Sequence, residues 1–162
     1  MVNYYFRGTS SSVASTLANW NTAADGSGSA PADLAALKAG RHIFTGTNAD
    51  CTYDLDDSAG IEIRADWVKG VGIKHIFTLT IDTTINDMIL KGGSFNVTAA
   101  RVITIDGAST PSTSNGCLVE FGDDFSWVSD EEDRDQVTFR MSNGTGGTMK
   151  FDDGPYPHVY LL

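Results

Sequence analysis

Hydrophobic and polar positions alternate with a period of two along most of this chain, and only its first forty residues break the habit. Val2, Tyr4 and Phe6 fall on one side of an opening strand, with Asn3, Tyr5 and Arg7 on the other, the signature of extended backbone. Gly8 to Ser12 interrupts it. Val13 to Trp20 has the spacing of two helical turns, with Val13, Leu17 and Trp20 on one face. After a Gly/Ser/Ala/Asn loop, Pro31 is placed to open a second short helix over Ala32 to Ala39, and Gly40 to stop it.

From Arg41 onward the helical period vanishes. Arg41–Thr45, Ile61–Ala65, Ile73–Ile81, Asp87–Lys91, Phe95–Val97, Arg101–Asp106, Cys117–Phe121, Gln136–Met141, Thr148–Phe151 and His158–Leu161 all read as strands. They are rich in Ile, Val, Thr and Phe and are separated by Gly, Asn, Asp and Ser turns. So many strands leave no room for crossover helices, which excludes a parallel α/β sheet. The expectation is one all-β domain over 1–162, with a strand and short helices in 1–40 and a β body in 41–162. Leu79-Thr80-Ile81-Asp82 returns as Ile103-Thr104-Ile105-Asp106, 24 residues later. That repeat suits a short β-solenoid; a compact β-sandwich or jelly roll is the other architecture that fits, and the first expectation.

Charge narrows the partners. The 162 residues carry 11 Lys and Arg against 21 Asp and Glu, a net charge of −10, most of it in the second half. Nucleic-acid binding draws its affinity from cations that neutralise phosphates, and anionic membranes select the same residues. No nucleic acid and no membrane are therefore expected as partners. The opening residues lack a signal-peptide pattern, and no apolar run reaches the length of a bilayer span.

Candidate chemistry thins out on inspection. Cys51 and Cys117 have no CxxC spacing, leaving free thiols or one disulfide. His42, His75 and His158 sit on separate strands and offer a metal no paired ligands. The acidic stretch Glu120 to Asp135 lacks the order of a calcium loop and reads as a solvated segment around Phe125-Ser126-Trp127-Val128. There is no G-x-S-x-G elbow, and Gly26 to Gly28 and Gly144 to Gly147 lack the Lys-Ser/Thr of a phosphate loop. No catalytic residue, metal or cofactor is expected. The aromatic ends are more informative: Tyr4, Tyr5 and Phe6 at one terminus, Val159, Tyr160 and Leu161 at the other. They belong either to the core or to a docking surface, and are the candidate partner-binding residues.

Asn19-Trp20-Asn21-Thr22-Ala23-Ala24-Asp25-Gly26-Ser27-Gly28-Ser29-Ala30-Pro31, followed by Ile43-Phe44 and β-rich Ile/Thr text, resembles the opening of β-rich bacteriophage virion proteins. The resemblance covers about 25 residues. It implies a decoration or cement protein on the surface of a tailed-phage virion, assembled in the host cytoplasm. Such a protein would be a homotrimer docked on the major capsid protein or another virion protein. The alternative is a glycan- or receptor-binding β module of a phage fibre or adhesin, with Trp20, Trp67 and Trp127 stacking on sugars. Exposed tryptophans would favour the second reading, buried ones the first.

Overall fold

A computed structural model describes residues 1–46, 48–106, 117–122, 124, 126, 127, 137–141 and 147–151; for 117, 118, 127, 141 and 147–151 the backbone alone is described. His158 to Leu161, most of the acidic stretch after Phe121, and the side chains of Cys117 and Trp127 lie outside the described residues.

The chain is mostly strand. In order these are β1 (Asn3–Phe6), β2 (Trp20–Asn21), β3 (Arg41–Phe44), β4 (Cys51–Tyr53), β5 (Asp57–Ser58), β6 (Gly60–Ile63), β7 (Val68–Gly70), β8 (Ile73–Lys74), β9 (Ile76–Leu79), β10 (Thr83–Ile85), β11 (Asp87–Leu90), β12 (Ser94–Val97), β13 (Arg101–Ile105), β14 (Cys117–Phe121), β15 (Ser126–Trp127), β16 (Val137–Met141) and β17 (Gly147–Phe151). Among the described residues there is one α-helix, α1 (Leu34–Lys38), which precedes β3.

The strands form three parallel stacks. The first runs β3-β6-β11-β14-β17, the second β4-β9-β12-β15, and the third β5-β10-β13-β16. Each turn of the chain contributes one strand to each stack and then climbs to the next level. Parallel neighbours need a long crossover, and here the other two stacks supply it in place of a helix. Scarcity of helix therefore did not exclude a parallel sheet. The pairing is that of a short β-solenoid and corrects the sandwich or jelly-roll expectation, whose ladders would be antiparallel. Among the described residues only β1/β2 and β7/β8 pair that way.

Alternation decides which side chains fill the interior. On the first stack the columns are His42, Ile61, Met88, Val119 and Phe44, Ile63, Leu90, Phe121, all buried. On the second stack Phe77 lies over Phe95 in register. Their rings stack at 5.3 Å, and Tyr53 stacks on Phe77 at 5.0 Å. The Leu79/Ile103 repeat is not the structural one. Thr83, not Leu79, pairs with Ile103. Along the first stack the steps lengthen from 19 residues (His42 to Ile61) to 27 (Ile61 to Met88) and 31 (Met88 to Val119).

Residues 1–40 cap the coil, and three pieces cover the three strands of the first turn. β1 pairs parallel with β3, and β2 covers β1. Segment 12–14 bonds to β4 through Thr52 N–H to Ser12 O (2.7 Å) and Ala14 N–H to Thr52 O (2.9 Å). Beside β5, α1 accepts Ala59 N–H at Lys38 O (3.1 Å), and Lys38 pairs with Asp56. Unpaired strand edges invite association, so a solenoid end needs such a cover.

The helical lead-in is smaller than its periodicity suggests. Val13 to Trp20 contains only a 3-10 turn, Leu17–Asn19, because the buried Asn19 side chain takes over the local backbone. It accepts from the Ser10 and Ser11 N–H groups and donates to Val13 O, an alternative to helical bonding. The second helix starts at Leu34, with Asp33 rather than Pro31 setting its start by accepting Ala36 N–H at 2.7 Å. Gly40 is required by packing: a Cβ there would lie 2.4 Å from Tyr4 Cδ2.

Candidate functional site

Tyr4 and Phe6 lie in the core, 6% and 0% exposed, so neither is a contact surface. Phe6 meets the rings of Trp20 and Phe44 at 5.1 and 5.4 Å. Tyr5 points the other way and is half-buried. Burying two aromatic side chains stabilises the chain by several kcal/mol, which favours β1 staying packed against β3. Val159, Tyr160 and Leu161 lie outside the described residues.

Polar chemistry gathers at three places. Under the cap, His42 is fully buried on β3. Its Nε2 lies 2.9 Å from Leu37 O and its Nδ1 lies 2.8 Å from the Tyr53 hydroxyl. A carbonyl only accepts, so Nε2 carries the proton; Nδ1 of the neutral ring then accepts from Tyr53. Burial pushes the His42 pKa down to about 4, against a smaller opposing effect of the Leu37 bond. Burial likewise holds the Tyr53 hydroxyl protonated, far above its ordinary range.

At the corner between β6 and β9, Asp50 Oδ1 lies 3.1 Å from His75 Nδ1 and accepts Ile76 N–H at 3.0 Å. Asp50 Oδ2 accepts from Lys69 at 2.7 Å. Partial burial would raise the carboxyl pKa, but the bonds from Lys69, Ile76 and His75 outweigh it and hold it below the usual range. The pair orients an imidazole as a hydrolase would. Yet His75 is buried, and its Nε2 has no hydrogen-bond partner.

The third place is the outer face of the first stack, where Arg41 donates to Asp87 Oδ2 at 2.5 Å. Burial raises the Asp87 pKa despite Arg41. Around the corner, Met1, Lys38, Ala39, Asp57, Ser58, Ala59 and Asn86 line an open cleft of about 330 Å³, with no acid and base facing each other across a hydrogen bond. Among the described residues no three His, Cys, Asp or Glu side chains converge as metal ligands.

Compared with protein-family models, curated proteins and solved structures, the chain matches none. Its own geometry is therefore the guide to function.

Trp20 and Trp67 are both buried. Trp20 Nε1 donates to Ala14 O at 2.6 Å, inside the cap. Trp67 packs on Phe44 at 5.1 Å and on His75 at 5.1 Å. Cys51 is a free, buried thiol whose pKa is raised by burial. Sequence reasoning missed the His42–Tyr53–Leu37 cluster. Tyr53 alternates with Cys51 as an inward residue, and that alternation was the only signal available. Among the described residues no helix is long and apolar enough to cross a membrane.

Proposed function

We propose that this chain is a non-enzymatic structural protein of a tailed-bacteriophage virion, decorating or cementing the capsid surface as a homotrimer. The observation that carries the reading is the capped parallel coil itself. Its interior is filled by stacked side chains, and His42 and His75 are held inside the protein rather than presented to a substrate. A coil of this kind is a rigid scaffold whose outer faces are free for lattice contacts. A threefold point of an icosahedral shell offers three copies identical contacts, and repeated weak contacts give avidity. With Tyr4 and Phe6 in the core, the large exposed apolar side chains among the described residues are Met1, Val2, Leu34, Val71 and Ile73.

A glycan- or receptor-binding module of a fibre or adhesin is the second reading. The buried Trp20 and Trp67 weaken it, since they cannot stack on a sugar. One feature favours it: Thr52, Thr78 and Asn96 stand in register on the outer face of the second stack and are partly exposed.

Particles of the encoding phage, banded on a density gradient, test the first reading. The chain should be present in fixed ratio to the major shell protein, and light scattering of the free protein should give three times 17.3 kDa. Absence from the particles, together with retention on a glycan column, would replace it with the second.

A further inference from the structure

We propose that His42 is an acid-sensitive latch that holds the N-terminal cap on the first turn of the coil, so that protonating its ring opens the cap while the turns beneath stay folded. The ring bridges the two parts. Leu37 O, on α1, belongs to the cap, and the Tyr53 hydroxyl, on β4, belongs to the first turn. Trp20 of β2 closes the site with its ring 4.5 Å from the imidazole. Tyr4 of β1 and Ile61 of β6 are its neighbours in register.

A second proton on this ring has no welcome. Nδ1 would change from acceptor to donor, so the Tyr53 hydroxyl would have to turn its own proton away from the ring and accept instead. The titratable and charged groups on the surrounding elements are Tyr4 and Tyr5 on β1, Lys38 on α1, Arg41 on β3 itself, Cys51 and Tyr53 on β4, Asp57 on β5 and Glu62 on β6, with Asp54 and Asp56 between β4 and β5; Tyr5, Arg41 and Glu62 alternate to the face opposite the ring. Lys38 is engaged with Asp56, and Asp54 accepts from Ser15 N–H and Oγ. The ring's own partners, Leu37 O and the Tyr53 hydroxyl, are both uncharged, so the site holds no bonded anion to balance imidazolium. A buried, uncompensated charge is relieved by exposing it, and the cap is the movable side. It is the end rung, held from one side only by the β1 ladder to β3, the buried Tyr4, Phe6, Ala14, Trp20 and Leu37, a few further backbone bonds and the Lys38–Asp56 and Ser15–Asp54 ties, whereas each inner turn is packed between two neighbours.

The direction follows from the ring being neutral when closed. An opened cap takes up its proton near the ordinary value of 6.5, the closed one only near 4. The neutral ring's contribution to cap closure is therefore fully present above about pH 6.5 and is lost progressively as pH falls toward 4. That gap raises the opening equilibrium roughly a hundredfold between pH 7.5 and 4. The Lys38–Asp56 tie persists further into acid, because the Lys38 hydrogen bond holds the Asp56 pKa below its ordinary value.

Amide hydrogen exchange, corrected for intrinsic rates, tests the latch between pH 7.5 and 4. Ala14, Leu37 and Ala39, whose N–H groups bond within the cap or to it, should lose protection about a hundredfold, while Lys91 and Ser94 in the inner turns keep theirs. His42→Gln should flatten that pH dependence, and Asp54→Asn should leave it in place. Independently of any variant, NMR titration of the His42 ring in the native protein should show a midpoint far below 6.5. A midpoint near 6.5, loss of cap and inner amides together, or a pH dependence removed by Asp54→Asn and not by His42→Gln would overturn the proposal.

Discussion

Replacing Phe77 by alanine should be the most damaging single truncation in the inner turns. The ring is fully buried and lies at the meeting of three others: Tyr53 at 5.0 Å, Phe44 at 5.2 Å and Phe95 at 5.3 Å. Truncation of a buried Phe costs about 3–5 kcal/mol in transfer and cavity terms. Aromatic pairs add about 0.5–1.5 kcal/mol each beyond area. With three such pairs lost, the expected cost lies at or above the top of that range, about 5 kcal/mol. Whole domains are stable by only about 5–15 kcal/mol, so the variant should fold marginally. Phe77→Leu keeps most of the volume and loses the ring contacts, and should cost about 2 kcal/mol. Urea unfolding followed by circular dichroism gives both numbers. Phe77 also joins β9 to β12 in register, so the alanine variant should broaden the transition as the turns uncouple. A cost below about 2 kcal/mol for Phe77→Ala, with an unchanged slope, would refute the stacked-column account of the core.

Other expectations follow from single contacts. Gly93 has φ +70° and a Cβ there would lie 2.9 Å from Trp67 Cε3 and 3.0 Å from Ile63 Cγ2, so Gly93→Ala should cost about 1–3 kcal/mol in a thermal or urea melt. Asp87 should titrate above an ordinary aspartate when followed by carboxyl NMR; its protonated form is favoured in the fold, so its contribution to stability is greatest in acid and falls as pH rises through that raised midpoint. In a Cys117→Ser background, Cys51 should react with a thiol reagent only after denaturation, as expected of a buried thiol held protonated; rapid reaction with the native protein would show that the coil opens there.

Much of the strand content was legible because alternation is local. Ile61/Ile63, Phe77/Leu79 and Ile103/Ile105 each present two inward residues separated by one outward residue, and a window of four or five residues reveals that. Which strand lies beside which was not legible. Within the three stacks, parallel pairing is decided by backbone bonds between residues 18 to 36 positions apart, as in Phe77/Phe95 and Ile103/Phe139, and corner lengths vary too much for a period to show. Strands as short as Asp57–Ser58 carry no alternation of their own and are strands only because Thr84 and Ile85 lie beside them. The Val13 helix failed for a local reason, the Asn19 side chain. The His42 site was hidden because its parts come from three separate elements, and burial, which gives it its acid–base character, is a property of the assembled fold.

The corner between β6 and β9 takes twelve residues, 64–75, where the next turn takes three, 91–93. Its foot is fixed by the buried Trp67 and His75, while at its tip Val71 is fully exposed and Cβ atoms on Gly70 and Gly72 would meet nothing within 4 Å. Only the columns of the coil must stay in step, so length at this corner is cheap: evolution, or an engineer, has a graft point between Val71 and Gly72. A peptide epitope or a small folded domain spliced there would be displayed on a stiff stalk, with the stacking of the turns left undisturbed.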